Sequence, residues 1–294
     1  MKLTELINEL KFNTGDAEIL LKLDENIEKE YKTLYDSLLG AYLLSIDECV
    51  LTVREMSIKG GICEELLGLW FCLRLAALRM YPRYKDHGIG DEYFFSAVAN
   101  VHRYIAATKA ATGKLGIITD RYIRALSHLI ELRAFRVGIF NYEFIKIDTS
   151  FECGGRIIEN GDVCLSMHIP INSDISERSV EYNFALAKEF FKKHFGMENP
   201  VCQLYSWLIH PSIAECLPEE SKLVKFYKRF SLYEIKNNPA SPIEYVFGMD
   251  FAEEYRRGCL NFKSYPENTS LQKAFKERLA SGLPIGTAKG ITLL

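Results

Sequence analysis

Asp162-Val163-Cys164-Leu165-Ser166-Met167-His168-Ile169-Pro170 is the stretch on which the fold turns. Val163, Leu165, Met167 and Ile169 fall on one face of an extended chain, while Cys164, Ser166 and His168 fall on the other. That alternation predicts a strand with one apolar and one polar face. Pro170 ends it, because proline has no N–H to give to a ladder. Asp174-Ile175-Ser176-Glu177 then has the acid-x-x-Glu spacing of a capping box, ahead of a helix carrying Val180, Phe184, Ala187 and Phe191 at three- and four-residue intervals. A second apolar run, Val201 to His210, reads as the next strand. Strand, helix and strand in that order imply a parallel pair joined by a crossover.

Working outward, Phe135 to Ile147 alternates and is rich in aromatic and branched residues, which predicts a half-buried strand. Gly154-Gly155 and Asn160-Gly161 mark turns between it and the central strand. Beyond the second strand come short helical segments, Pro211 to Cys216 and Ser221 to Arg229, and then two expected strands, Ser231 to Lys236 and Ile243 to Phe247. From Asp16 to Arg133 the period is helical, with Ile19, Leu20, Leu23, Ile27, Tyr31, Leu34 and Leu38 on one stripe. Ile62 to Tyr84 is apolar around most of its circumference and predicts a central helix. Asp91 and Asp120 stand where helix caps belong, and Gly88 to Gly90 and Gly113 to Gly116 are breaks, giving five or six helices. The expectation is an α+β (mixed α/β) protein with a helical N-terminal domain, residues 1–133, and a sheet domain, residues 134–294.

Composition narrows the function classes. Thirty-six Lys and Arg against 39 Asp and Glu give a net charge of −3, without the basic footprint that nonspecific nucleic-acid binding needs. The longest apolar runs, Leu38 to Ile46 and Leu66 to Leu73, fall short of the roughly 20 residues that cross a bilayer. With no signal-like N-terminal stretch and eight cysteines lacking a Cys-x-x-Cys pair, the expectation is a cytoplasmic protein with reduced thiols. Asn268-Thr269-Ser270 fits a glycosylation pattern that this location makes irrelevant. The six histidines are scattered, so no metal is expected. Gly-x-Gly-x-x-Gly after a strand, a Walker lysine and a Gly-x-Ser-x-Gly elbow are all missing.

Three side chains and one loop remain as candidates. His168 lies at the C-terminal end of its strand, where open α/β sheets bind ligands, and imidazole moves protons near neutral pH. The competing reading is a hydrogen-bonded structural histidine. Ser206, in the next strand, is a substrate-binding hydroxyl or one bonded to backbone. Tyr227 is a proton donor or an amphipathic packing residue. The loop Pro170 to Ser176 leads into a helix N-terminus, which attracts phosphate through unpaired N–H groups and the helix dipole.

His168-Ile169-Pro170, Glu189-Phe190-Phe191-Lys192-Lys193, Ser206-Trp207-Leu208-Ile209, Lys228-Arg229-Phe230 and Pro266-Glu267-Asn268-Thr269-Ser270-Leu271-Gln272, in this order, resemble a family of bacterial two-domain acyltransferases. These pair a helical N-terminal domain with a domain similar to GCN5-related N-acetyltransferases (the GNAT fold). The resemblance covers most of residues 80–294, and Phe135 to Glu143 looks like the family's first strand up to Gly138. It implies that the strand Asp162 to Pro170 and the strand Val201 to His210 part at their ends to admit the pantetheine arm of acetyl-CoA or another acyl-CoA. The pyrophosphate would lie on Ile169, Ile171, Asn172, Ser173, Asp174, Ile175 and Ser176. His168 would take the proton of an amine on a small molecule or peptide, Tyr227 would protonate the departing thiolate, and Ser206 would assist. The family usually uses a Gln/Arg-x-x-Gly-x-Gly/Ala turn at the pyrophosphate, and Ile171 to Ser176 contains no glycine. Two other classes stay open: a CoA-thioester decarboxylase-like lyase using Ser206 and His168, and a non-catalytic CoA-binding module. Tyr84, Tyr93 and Phe94 are expected to line the acceptor pocket.

Overall fold

The computed structural model describes residues 1–30, 32–153, 155–259 and 261–294. Tyr31 of the helical stripe and Gly154 of the first turn lie outside the described residues, as does the side chain of Leu34. The chain divides into two compact units, Met1–Arg136 and Val137–Leu294.

Among the described residues the first unit holds nine α-helices, more than the five or six expected, because breaks without glycine or proline add to the glycine ones: Ser45 caps α4 away from α3, and Ala99–Asn100 separate α7 from α8. They are α1 (Leu3–Glu9), α2 (Thr14–Glu30), α3 (Lys32–Leu44), α4 (Ile46–Gly60), α5 (Glu64–Leu75), α6 (Tyr81–Asp86), α7 (Asp91–Val98), α8 (Val101–Thr112) and α9 (Thr119–Ile130). α5 is the central helix: Leu67, Leu69, Trp70, Phe71 and Leu75 have no exposed surface. The Trp70 indole N–H is satisfied by Asp24 Oδ1 at 2.7 Å, so the ring is buried without an orphaned donor. A π-helical turn, Ala76–Met80, joins α5 to α6. Asp91 and Asp120 occupy the first turns of α7 and α9 rather than their N-caps, where they still complement the helix dipole. Tyr84 and Phe94, expected to line an acceptor pocket, are instead buried, with the Phe94 ring edge-on to Tyr84 and Tyr81. Aromatic packing, not ligand contact, accounts for them; Tyr93 is half-buried.

The chain passes into the second unit within β1 (Ala134–Val137). There follow β2 (Phe140–Lys146), β3 (Phe151–Cys153), β4 (Arg156–Ile158), β5 (Val163–His168), α10 (Glu177–Phe195), β6 (Val201–Ser206), α11 (Ser212–Cys216), α12 (Lys222–Tyr227), β7 (Ser231–Lys236), α13 (Ala240–Phe247), α14 (Met249–Arg256), α15 (Ser270–Ala280) and β8 (Thr287–Leu293). Six strands form one sheet in the order β1-β2-β5-β6-β8-β7, and β3 and β4 form a separate hairpin. β5 and β6 run parallel, while β2–β5, β6–β8 and β7–β8 are antiparallel. This is the expected α+β architecture, a helical region followed by a mixed sheet with flanking helices.

Several local expectations change. Phe135 to Ile147 is not one strand but a hairpin folded at Gly138, whose φ of +59° suits glycine, with Ile139 N–H donating to Asn183 Oδ1 of α10 at 2.9 Å. Cys164, expected on the polar face, is fully buried because the β3–β4 hairpin covers that end of the face with Cys153 and Ile158; Val163 is exposed instead. Ile243 to Phe247 belongs to α13, not a strand: Ile243 and Phe247 are four apart and bury one helical face. The run Val201 to His210 leaves the sheet at Ser206 and closes into a 3₁₀ turn, Trp207–Ile209. The acid-x-x-Glu motif also shifts, since Ser176 is the N-cap of α10 and Ile175 and Val180, at the positions of a hydrophobic staple, are both buried.

Strand β8, inside the sheet between β6 and β7, escaped the sequence reading because Gly286 and Gly290 make it resemble a loop. At Gly290 a β-carbon would press against Leu232, Ile209 and Phe230, so close packing explains that glycine. The Asn268-Thr269-Ser270 motif proves to be a helix start: Thr269 Oγ1 accepts from Gln272 N–H at 3.1 Å, and Gln272 Oε1 accepts from Thr269 N–H at 3.2 Å. Gln272 Nε2 also donates to Val246 O of α13 at 2.9 Å. Thr269→Ala should lower stability by about 1 kcal/mol in urea unfolding, the usual loss for an N-cap; an unchanged midpoint would show the cap is idle.

Candidate active site

Among the described residues two pairs join the parallel strands, Leu165 opposite Cys202 and Ser166 opposite Gln203. Past them each strand keeps its outer neighbour. β5 stays paired with β2 through His168 opposite Asn141, and β6 stays with β8 through Ser206 opposite Ala288. Met167 and His168 on one side, and Leu204, Tyr205 and Ser206 on the other, therefore face a break in the ladder. Where a ladder stops, backbone groups beyond its last bonds can take up hydrogen bonds from whatever enters.

His168 stands at the rim with its side chain 59% exposed and Nε2 3.7 Å from Glu143 Oε2. Glu143 is one register step away on β2, opposite Ser166. The sequence shows Glu143 only as one polar member of an alternating run. Its meeting with His168 depends on the β2–β5 register, which no local signal encodes. Ser206 caps the 3₁₀ turn, its Oγ accepting from Leu208 N–H at 3.1 Å, so the hydroxyl still has a proton to donate. Tyr227, at the end of α12, is half-buried and packs on the apolar cluster of Ile213, Val224 and Ile243.

In the loop, Asn172 has φ +66° and makes the left-handed turn that glycine makes elsewhere. Two of the expected phosphate donors are already engaged. Ser173 N–H and Oγ both donate to Pro170 O, at 3.1 and 2.7 Å, and Ser176 N–H donates to Asp174 Oδ1 at 2.9 Å. The Ser176 backbone N–H, and then its hydroxyl, hold the Asp174 carboxyl below the usual carboxylate range. Asp174 thus carries a charge that a phosphate would avoid, and Ile175 points into the core. The α10 N-terminus, where no side chain caps the helix, is a better phosphate donor than Ser173 or Ser176.

Behind the break lies a buried polar clamp that sequence reading did not single out. His210 is 2% exposed; Ser212 N–H donates to its Nδ1 at 3.2 Å, and its Nε2–H donates to Asn237 Oδ1 at 3.1 Å, just beyond β7. These bonds fix the neutral tautomer and tie the chain leaving β6 to the end of β7. Burial lowers the His210 pKa, against the opposing pull of Asn237. Below about pH 6.5 the unfolded chain therefore takes a proton that the folded chain refuses, and stability falls with acidification by up to ~1.4 kcal/mol per pH unit. Urea titrations at pH 7.5 and 5.5 should show this loss in the native protein and less of it in His210→Gln; equal losses would contradict the assignment.

Among the described residues no group of three or more His, Cys, Asp and Glu could hold a metal ion, and no helix is long and apolar enough to cross a membrane.

The parallel pair β5–β6, joined by the crossover helix α10 within a mixed sheet, is the arrangement expected of a GNAT-like domain. Residues 134–292 match the GNAT-like C-terminal domain family, and residues 1–122 match the N-acyltransferase N-terminal domain. The chain belongs to this two-domain acyltransferase family and is a transferase. Two similar solved structures are an acyltransferase mutant in complex with octanoyl-CoA, 18% identical, and an acyltransferase in complex with decanoyl-CoA and teicoplanin, 17% identical. Each alignment covers 99% of this chain and 87% of the other, with a TM-score of 0.66. At that identity the likeness is one of fold. A search of the curated proteins finds no match.

Proposed function

We propose that the protein transfers an acyl group from acyl-CoA to an amine of a small molecule or peptide. The observation that carries this reading is the break between β5 and β6 beyond Ser166 and Gln203, with His168 at its edge. In the proposed reaction the thioester arm lies in the break, and an unpaired backbone N–H beside His168 polarises the carbonyl as negative charge develops on its oxygen. The amine nitrogen attacks the carbonyl carbon while His168, directly or through water, accepts its proton; Glu143, 3.7 Å from Nε2, orients the imidazole. The C–S bond then breaks, the amide forms, and Tyr227 protonates the CoA thiolate. Ser206 binds substrate across the opening. The pyrophosphate rests on the uncapped first turn of α10, beside Ile169, Ile171 and Asn172, rather than on Ser173 to Ser176.

The similar structures hold octanoyl- and decanoyl-CoA, which favours a medium-length acyl group over the acetyl group expected from sequence. One of those complexes contains teicoplanin, which makes a peptide-like amine a reasonable first acceptor. The division at residue 133 and a cytoplasmic location belong to the same reading. The test is thiol release from acetyl-, octanoyl-, decanoyl- and malonyl-CoA, each with and without an amine panel. Amine-dependent release, greatest with the eight- and ten-carbon thioesters, is the expected result. Carbon dioxide from malonyl-CoA without an amine, or no release with any pair, would overturn it.

A further inference from the structure

The helical unit contains a half-open cleft of about 450 Å³, within the size range of small-molecule sites and formed entirely by that unit's own residues. Ser127 and Ile130 of α9 are buried at its floor. Leu43 and Leu78 line it while remaining 66% and 40% exposed, an unusual position for two leucines beside a concavity. Arg79 and Arg83 complete the rim, four residues apart and hence on one helical face.

Two features separate these arginines from their neighbours. Arg74, Arg124 and Arg133 of the same unit are each matched to a carboxylate, at 2.6, 2.8 and 2.7 Å. Arg79 and Arg83 are in no ion pair among the described residues. Glu131 lines the cleft, but its carboxylate is held by Arg133. Arg79 also sits in the π-helical turn Ala76–Met80, a local irregularity of the helix that is frequent at functional sites. An apolar trough bearing two unmatched guanidiniums is complementary to a molecule with an anionic head and an aliphatic tail.

We propose that this cleft binds a single-tailed anionic amphiphile, with a carboxylate or phosphate head on Arg79 and Arg83 and a tail along Leu43, Ile46 and Leu78. The site is independent of the acyl-transfer reading. Calorimetric titration of the full chain with decanoate, decyl phosphate and 1-decanol, each below its micelle concentration, tests it. Arg79→Gln/Arg83→Gln and Leu78→Glu change exposed side chains, so their melting curves should overlay that of the native protein. Saturable binding of decanoate or decyl phosphate, weakened about tenfold or more in both variants and at least as weak for 1-decanol, is the expected result. The tighter of the two anions identifies the head group. Anion binding unchanged in both variants, 1-decanol binding as tightly as the anions, or no binding at all would overturn the proposal.

Discussion

His168→Ala is expected to lower kcat/KM for acyl transfer by about 10²- to 10⁴-fold, the range set by removal of a positioned general base. The loss should fall mainly on kcat, because the imidazole acts on the proton of the attacking amine rather than on the body of either substrate. The side chain is more than half exposed and its carboxylate neighbour is 3.7 Å away, so the fold owes it little. The variant's thermal midpoint should stay within a few degrees of the native value. Glu143→Gln, which keeps the shape and removes the charge, should produce a smaller fall in kcat. Native turnover in His168→Ala would remove the residue from the mechanism.

Gly138→Ala should lower stability by about 2–5 kcal/mol. Two penalties combine. At φ +59° an alanine pays roughly 1–2 kcal/mol for the left-handed conformation. Its methyl would also occupy the position of Asn183 Oδ1, displacing the acceptor of Ile139 N–H and leaving a half-buried donor at a cost of about 1–3 kcal/mol. Gly155 supplies the control, since it has a similar φ of +73° but open space around it. Gly155→Ala should lose only about 1 kcal/mol. Equal losses at both glycines in chemical unfolding would show that the contact with Asn183 contributes nothing.

Legibility in the sequence followed the range of the physical signal. The buried helix α5 and the amphipathic helix α10 could be read because their periodicity is local and their apolar faces are long. The order β5–α10–β6 was equally clear, and with it the parallel pair. β8 was invisible: its place between β6 and β7 depends on pairings over a distance of more than 50 residues, and Gly290 hides a strand interior behind a turn-like residue. Ile243 to Phe247 misled because a short apolar run fits strand and helix alike, and only packing against the α15 side decides. At the site, His168 and Ser206 stood out through their place at strand ends. Glu143 and the His210–Asn237 clamp did not, because each is created by strand register. The glycine-free loop looked like a defect, yet Asn172 adopts the left-handed conformation itself.

The central claim is that β5 and β6 part to admit a thioester arm. A crystal structure with a non-hydrolysable thioether analogue of decanoyl-CoA tests it most directly. The account predicts pantetheine density between Met167–His168 and Leu204–Ser206, hydrogen-bonded to both strands, with the reacting carbon within about 4 Å of the His168 side-chain environment. Density elsewhere on the chain, with the two strands bridged by their own side chains along the break, would contradict it.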